Sequence, residues 1–180
     1  EVDYDQPGSD YGEFIELYNP TSVNQSLASM VIYLINGTDG SVYTTIDLAS
    51  AGSLPAGGYL LIAGPGVSAG SGAAKLDMSW THDAIQNGKS GTTGSPDGMA
   101  LVDTSDETLV DALSYEGAMT GISLPGFADP VSLVHGTAET AVDSNATDGS
   151  LCREPNGQDT GNDDADWKFC TPVTPGAENP

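Results

Sequence analysis

Basic residues are scarce in this sequence. Lysine and arginine together number 4, against 26 aspartates and glutamates, and the formal net charge is −22. Such a surface repels phosphate backbones and anionic lipid, which argues against direct binding to nucleic acid and against membrane insertion. The acidity has two interpretations: sites for hard cations such as Ca²⁺, or a general surface charge that keeps the protein soluble at high salt. The second is favoured for the total charge, because the acids are spread along the whole chain.

Cysteine is also scarce, since Cys152 and Cys170 are the only two. No second cysteine pair or nearby histidine completes a zinc-binding set. In a compact β domain the pair predicts a disulfide, which would close a loop of about 18 residues and stabilise the fold by about 3 kcal/mol. A disulfide indicates an oxidising compartment, extracellular or at the cell surface. The alternative is two buried free thiols that pack as small apolar residues.

Long hydrophobic runs are missing too. No apolar stretch approaches the about 20 residues that a membrane span needs, and no signal peptide is recognisable. The sequence begins abruptly at Glu1, in what looks like a strand, so we expect a mature fragment or a domain cut from a longer protein. The hydrophobic fraction of 38% is nevertheless too high for a disordered chain.

Short apolar runs between turns take the place of helical periodicity. Alternation in residues 14–18 puts Ile15 and Leu17 on one face of a strand. The unbroken apolar run 30–35 predicts a strand covered on both faces. After a turn at 36–40, the alternation of 42–48 predicts the second strand of a hairpin. In that strand we expect one face to carry Val42, Thr44, Ile46 and Leu48.

The remaining pattern predicts an all-β fold. Short runs bounded by turns continue to the C-terminus, with a further short strand expected near residues 76–80 inside the glycine- and serine-rich stretch 64–98. About seven such strands without helices favour an immunoglobulin-like β-sandwich with long loops, and a jelly-roll sandwich is the alternative. The length fits a single domain over residues 1–180.

Several short motifs follow one another in a recognisable order. In chain order they are residues 1–5 (EVDYD), 13–20 (EFIELYNP), 54–59 (LPAGGY), 96–103 (PDGMALVD), 111–115 (DALSY), 149–153 (GSLCR) and 174–179 (TPGAEN). This series resembles the lamin tail domain family, and most closely its exported prokaryotic members. Long insertions around 64–96 and 116–149 and the cysteine pair depart from the family pattern.

The resemblance implies an immunoglobulin-like fold and a non-catalytic role. In nuclear lamins the domain is a partner-binding tail, and in prokaryotes it is a module of exported nucleases, phosphatases and surface proteins. The chromatin contacts proposed for eukaryotic members are not expected here, because a net charge of −22 is a poor match for DNA.

Catalytic signatures are missing around the two histidines. Neither His82 nor His135 lies in a nucleophile elbow or in a metalloprotease helix motif. Carboxylate pairs suited to glycoside hydrolysis carry no information in a chain with 26 acids. We therefore expect two loop histidines and no enzyme.

Two acidic clusters are candidate Ca²⁺ sites, because calcium prefers about six to eight oxygen ligands on a loop that wraps the ion. Carboxylates this close together repel each other unless a cation lies among them. The alternative is a solvated acidic loop, and no EF-hand pattern is present. The first cluster is Asp3, Asp5, Asp10 and Glu13, and the second is Asp159, Asp163, Asp164 and Asp166.

Two further groups have structural and functional interpretations. Arg153, on a predicted strand, is expected to be structural and to pair with a carboxylate across the sheet. A set of aromatic residues could form a surface for sugar or peptide, although packing in the core and rim is favoured. These aromatic residues are Tyr4, Tyr11, Tyr18, Trp80 and Trp167.

The sequence thus predicts a non-catalytic binding, adhesion or accessory module of an exported protein. Its partner would be a protein or a surface polymer, with structural Ca²⁺ as a candidate cofactor. The alternatives are an exported hydrolase-associated domain or enzyme with an unrecognised site, and a structural spacer.

Overall fold

The computed structural model describes residues 1–88 and 96–180, and their regular secondary structure is almost entirely β-strand. The single α-helix in these two ranges is the four-residue α1 (Asp163–Asp166). The strands are β1 (Val2–Asp3), β2 (Phe14–Tyr18), β3 (Gln25–Ser26), β4 (Met30–Asn36), β5 (Ser41–Asp47), β6 (Ser53–Leu54), β7 (Tyr59–Ala63), β8 (Ala74–Asp77), β9 (Asp97–Asp103), β10 (Thr108–Tyr115), β11 (Thr120–Ile122), β12 (Val131–Ser132), β13 (Ser150–Arg153) and β14 (Trp167–Cys170).

Two main sheets form an immunoglobulin-like sandwich, as the sequence predicts. The first sheet has the strand order β14-β13-β1-β2-β7-β8, and the second has the order β10-β9-β4-β5. Neighbouring strands are antiparallel in both, except that β8 runs parallel to β7. The described chain contains more strands than the expected seven, because short ladders form within the long loops.

The main core lies between the two sheets. Ile15 and Ile62 from the first sheet meet Leu34 and Leu113 from the second, and all four side chains are buried. Burial of each such side chain contributes about 1.5–3 kcal/mol. The predicted inward face of β2 is confirmed, since Leu17 also packs against this core.

The insertion at 116–149 covers the outer face of the second sheet. Met119, Leu124 and Leu133 from this segment pack with Ile35 and Val102 in a second hydrophobic cluster. Strand β4 therefore has apolar neighbours on both of its faces. This confirms the interpretation of its continuous apolar run.

The outer face of the first sheet is covered by two loops. Phe14 and Leu61 are buried there against Val67 and Val173. The two loops are joined, since the backbone amide of Gly70 donates to the carbonyl of Pro175 at 2.7 Å. Both long excursions of the chain thus extend the core.

A bulge corrects the predicted face of β5. The register along β4 passes from Thr44 directly to Val42, so Tyr43 is the extra residue. One inserted residue reverses the side-chain alternation, so Val42 packs against the outer cluster while Ile46 lies in the main core. The expectation that Val42 and Ile46 share a face is wrong.

The strand expected near residues 76–80 lies earlier in the chain. Strand β8 covers Ala74–Asp77, and its register pairs Leu76 with Ile62 of β7. The ladder ends when the amide of Met78 donates to the carbonyl of Ala63 at 2.9 Å. The glycine-rich surroundings hide this boundary in the sequence.

The C-terminal strands complete the first sheet. Strand β13 pairs with β1 through Leu151 and Val2, and β14 pairs with β13. The predicted disulfide joins Cys152 to Cys170, whose Cα atoms are 5.9 Å apart. No helix in the described ranges is long and apolar enough to cross a membrane.

Candidate functional site

A cavity of about 420 Å³ opens between the two sheets at one end of the sandwich. Its volume lies within the about 300–1,000 Å³ that small-molecule and side-chain sites occupy. Strands β4 and β10 begin at this end, and strands β2 and β13 finish there. The apolar part of the wall is formed by Leu17, Leu27, Met30, Leu54, Leu101 and Val110.

Val110 reaches the cavity rim because of a β-bulge. The pairing of β10 with β9 shifts register between Leu109 and Asp111, which leaves Val110 without a partner on β9. Its side chain is 47% exposed and lines the cavity. A bulge of this kind redirects a side chain that regular pairing would place elsewhere.

An ion pair joins the two sheets in the wall of the cavity. Arg153 on β13 places its guanidinium 2.8 Å from a carboxylate oxygen of Asp111 on β10. The same guanidinium lies 3.7 Å from Asp159 and 3.7 Å from Asp166, and its carbon is 4.9 Å from the Trp167 ring centre. The carboxylate closest to Arg153, that of Asp111, therefore belongs to the facing sheet and not to a neighbouring strand of the same sheet.

The indole of Trp167 presents an unused donor. This side chain lines the cavity, and its buried Nε1 has no hydrogen-bond acceptor in the part of the chain that the structure describes. A buried donor without an acceptor costs about 1–3 kcal/mol.

A turn packed on two tyrosines shapes the rim. Tyr18 and Tyr59 stack with ring centres 4.8 Å apart, and Asn156 donates to the Tyr59 hydroxyl at 2.9 Å. Gly157 has φ +69°, and a Cβ there would lie 2.5 Å from the Tyr18 ring. Only glycine combines this close approach with the left-handed backbone.

The second acidic cluster is occupied by protein hydrogen bonds. Asp163 accepts from the amide of His135 at 2.8 Å, and Asp164 accepts from the hydroxyl of Thr140 at 3.0 Å. Asp166 is completely buried and accepts from both the amide and the hydroxyl of Thr160. Burial raises the pKa of Asp166, but its hydrogen bonds and Arg153 outweigh burial and hold the pKa below its ordinary value.

The first acidic cluster is also divided among separate donors. Asp3 accepts a hydrogen bond from the side-chain amide of Gln6 at 2.5 Å, and Asp10 accepts one from the backbone N–H of Gln6 at 2.9 Å. Asp5 accepts from the Asn145 side chain at 2.6 Å. These carboxylates therefore tie loops together, and their buried position raises the pKa of Asp3 to about 8.

Glu13 joins a loop to the first sheet. Its two oxygens accept from the amides of Ala84 and Ile85 at 2.7 and 2.8 Å. Burial raises the pKa of Glu13 to about 7, although these hydrogen bonds oppose the change. The contact spans about 70 residues of chain, so no local sequence pattern could reveal it.

Two further buried acids were not singled out in the sequence. Asp143 accepts from the amides of Tyr4 and Asp5, while its other oxygen has no partner among the described residues. Both oxygens of Glu139 are buried without a described partner. Burial raises the pKa of Asp143 to about 6 and that of Glu139 to about 7.

The model of one protein family, the Lamin Tail Domain, matches residues 1–117. The chain belongs to the lamin tail domain family. A search of curated proteins and a search of solved structures returned no match. The matched residues include strands β1–β10, and the predicted closing motifs at 149–153 and 174–179 lie beyond them.

Lamin tail domains are immunoglobulin-like and generally non-catalytic. The two histidines of this lamin tail domain have different carboxylate neighbours. His82 lies 2.7 Å from Asp83 on the surface, and His135 lies 3.5 Å from Asp163. No serine, threonine or cysteine side chain is hydrogen-bonded to either ring in the described ranges.

The five aromatic residues do not form one surface patch, in line with the favoured interpretation of packing in the core and rim. Tyr4 is completely buried and stacks on Tyr115 at 4.3 Å. Tyr11 is 66% exposed and lies beside His82. Of the five aromatic residues, Tyr18 and Trp167 line the cavity.

Thermal unfolding tests the calcium prediction directly. In residues 1–88 and 96–180, no group of three or more histidine, cysteine, aspartate or glutamate side chains is placed to hold a metal ion. We expect CaCl₂ and NaCl at matched ionic strength to raise Tm equally above its value in EDTA. Calcium at about 100 times its Kd would add about 2.7 kcal/mol, or several degrees. A rise that NaCl fails to reproduce would establish a site, and Asp159→Asn would then be the first variant.

Proposed function

We propose that this lamin tail domain is a non-catalytic binding module of an exported protein, and that it holds a partner protein or surface polymer in the cavity between the sheets. The cavity of about 420 Å³ between the sheets, with a largely apolar wall and the Arg153–Asp111 ion pair at its side, carries the proposal. Apolar walls with a few directed polar groups are typical of binding sites.

Export is supported by the disulfide, and the surface charge bears on solubility. The Cys152–Cys170 bond is of the kind that persists in oxidising compartments. A net charge of −22 keeps a domain soluble and separate from other copies of itself. Neither feature depends on the cavity, so export and the binding site are separate parts of the proposal.

Selection of peptides tests the binding role. We expect panning of a random heptapeptide phage library against the domain to enrich defined sequences that bind the cavity. Val110→Trp places a large ring at the rim on an exposed edge position, so it should weaken the enriched peptides at least about tenfold without unfolding the domain. Val142→Trp, at another exposed valine that does not line the cavity, is the matched control.

Equal binding to wild type and Val110→Trp would place the site elsewhere on the domain. Failure of both the peptide library and a panel of cell-wall polysaccharides to bind would favour the spacer alternative. The hydrolase alternative would gain support if the domain turned over an esterase, phosphatase or glycosidase substrate and lost that activity in His82→Ala or His135→Ala.

A further inference from the structure

The charged side chains in the cavity wall are mostly acidic. Asp111 and Asp159 line the cavity, whereas the carboxylate of Glu16, another lining residue, accepts a hydrogen bond from the Gly176 amide. Arg153 is the one basic residue among the lining residues, and three carboxylates already lie within 3.7 Å of it. Its charge is therefore neutralised locally, and the opening presents a negative potential.

Two of these carboxylates lie in water at the opening. The side chain of Asp159 is 63% exposed and that of Asp111 is 43% exposed. A carboxylate has about four lone-pair sites, so each has room for a further donor beside its contact with Arg153. A cationic group at the opening would be attracted by the local carboxylates and by the negative charge of the whole domain.

Building on the proposed function, we propose that the cavity binds a lysine side chain of a partner protein. The side chain would lie along the open side of the cavity, with its aliphatic stem against Leu17, Leu54 and Leu101 and its ammonium group at the edge beside Asp111 and Asp159. The apolar wall and acidic opening match the two parts of a lysine side chain, which is an apolar stem with a charged end.

Other occupants fit the cavity less well. An arginine gains from stacking on an aromatic face, but the guanidinium of Arg153 already lies over the Trp167 ring. An anionic ligand would meet the carboxylates at the opening. A second copy of the chain would bring another net charge of −22. Lysine needs no aromatic face, because its ammonium group is a compact point charge.

NMR of the two tryptophan indoles tests this inference. The chain contains only Trp80 and Trp167, so the spectrum has two indole N–H signals, which Trp80→Phe assigns. The probes are three blocked tripeptides, glycine–X–glycine, in which X is lysine, norleucine or glutamate. We expect the lysine peptide to move the Trp167 signal with a Kd at least about threefold lower than that of norleucine, as expected for a partly exposed charge contact. Glutamate should leave the signal unmoved.

A matched pair of variants tests the charge contact. Asp159→Asn keeps the oxygen that accepts from the Gly161 amide and removes the charge. It should raise the Kd of the lysine peptide about threefold and leave that of norleucine unchanged. Asp39→Asn removes a charge from an equivalent turn beyond the opposite end of β4, and should change neither value.

The outcomes separate this inference from the proposed function. Equal affinity for lysine and norleucine would overturn the lysine inference and leave the cavity as a binding site. Enrichment of cavity-dependent heptapeptides that lack lysine would do the same. No movement of the Trp167 signal with any tripeptide also overturns the inference, and the library and polysaccharide binding then decides the proposed function.

Discussion

Replacement of Arg153 by methionine is expected to lower the free energy of unfolding by about 3–5 kcal/mol. The arginine side chain is only 10% exposed, and Asp166 beneath it is completely buried. Methionine fills a similar volume but leaves that carboxylate without its cation. Urea unfolding at pH 7 measures the loss.

A matched variant separates loss of the buried contact from loss of a positive charge. Lys168 on the neighbouring strand β14 donates to the carbonyl of Asp164 at 2.9 Å at the surface. Lys168→Met should therefore change the free energy of unfolding by less than about 1 kcal/mol. Similar losses in the two variants would contradict the structural role of the ion pair between the sheets.

The domain is expected to be more stable at pH 5 than at pH 8. Burial raises the pKa of Asp143 to about 6, those of Glu13 and Glu139 to about 7, and that of Asp3 to about 8. In the unfolded chain these groups ionise near pH 4. Their contribution is therefore fully present below about pH 4 and is lost as pH rises through 6 to 8. The lowered pKa of Asp166 acts in the opposite sense, and its contribution is lost in strong acid.

Asp3→Asn isolates the largest part of this pH dependence. Each unit of pKa difference is worth about 1.4 kcal/mol, so burial of the charged carboxylate costs up to about 5 kcal/mol at pH 8. The asparagine oxygen can still accept from Gln6, but its buried amide group costs about 1–3 kcal/mol. We expect a net gain of about 2 kcal/mol at pH 8 and no gain at pH 4.

Chemical unfolding at several pH values checks both the pH dependence of the wild-type domain and the gain in stability of Asp3→Asn. Asp39→Asn, at an exposed aspartate whose pKa is lowered by hydrogen bonds to Ser41, should leave the slope between pH 5 and 8 unchanged. A wild-type stability that is flat or rises from pH 5 to 8 would show that the buried acids ionise without cost. Loss of stability in Asp3→Asn at pH 8 would also contradict the proposed burial effect.

The strands were predictable wherever a local pattern carried the information. Alternation placed Ile15 and Leu17 in the main core, and the continuous apolar run identified β4 as covered on both faces. The inserted Tyr43 could not be recognised, because a bulge depends on pairing with the neighbouring strand. Local alternation alone therefore predicted the wrong face for Val42.

The candidate site was much less predictable. The sequence predicts that Arg153 pairs across its own sheet, but its partner Asp111 lies on the facing sheet, which only the tertiary fold brings close. The same holds for Asp143, which accepts hydrogen bonds from the amides of Tyr4 and Asp5 across more than 130 residues. Acidic residues that are close in sequence accept hydrogen bonds from different donors in the fold. Their proximity along the chain therefore does not predict a shared cation site.

Chemical-shift mapping with an enriched heptapeptide tests the proposed binding site most directly. Backbone and methyl signals of the domain are recorded as the peptide is added. The proposed site predicts that the largest changes occur at Leu17, Leu54, Leu101 and Trp167, around the opening between the sheets. Changes confined to residues outside the cavity, such as the exposed edge of β5, would contradict it.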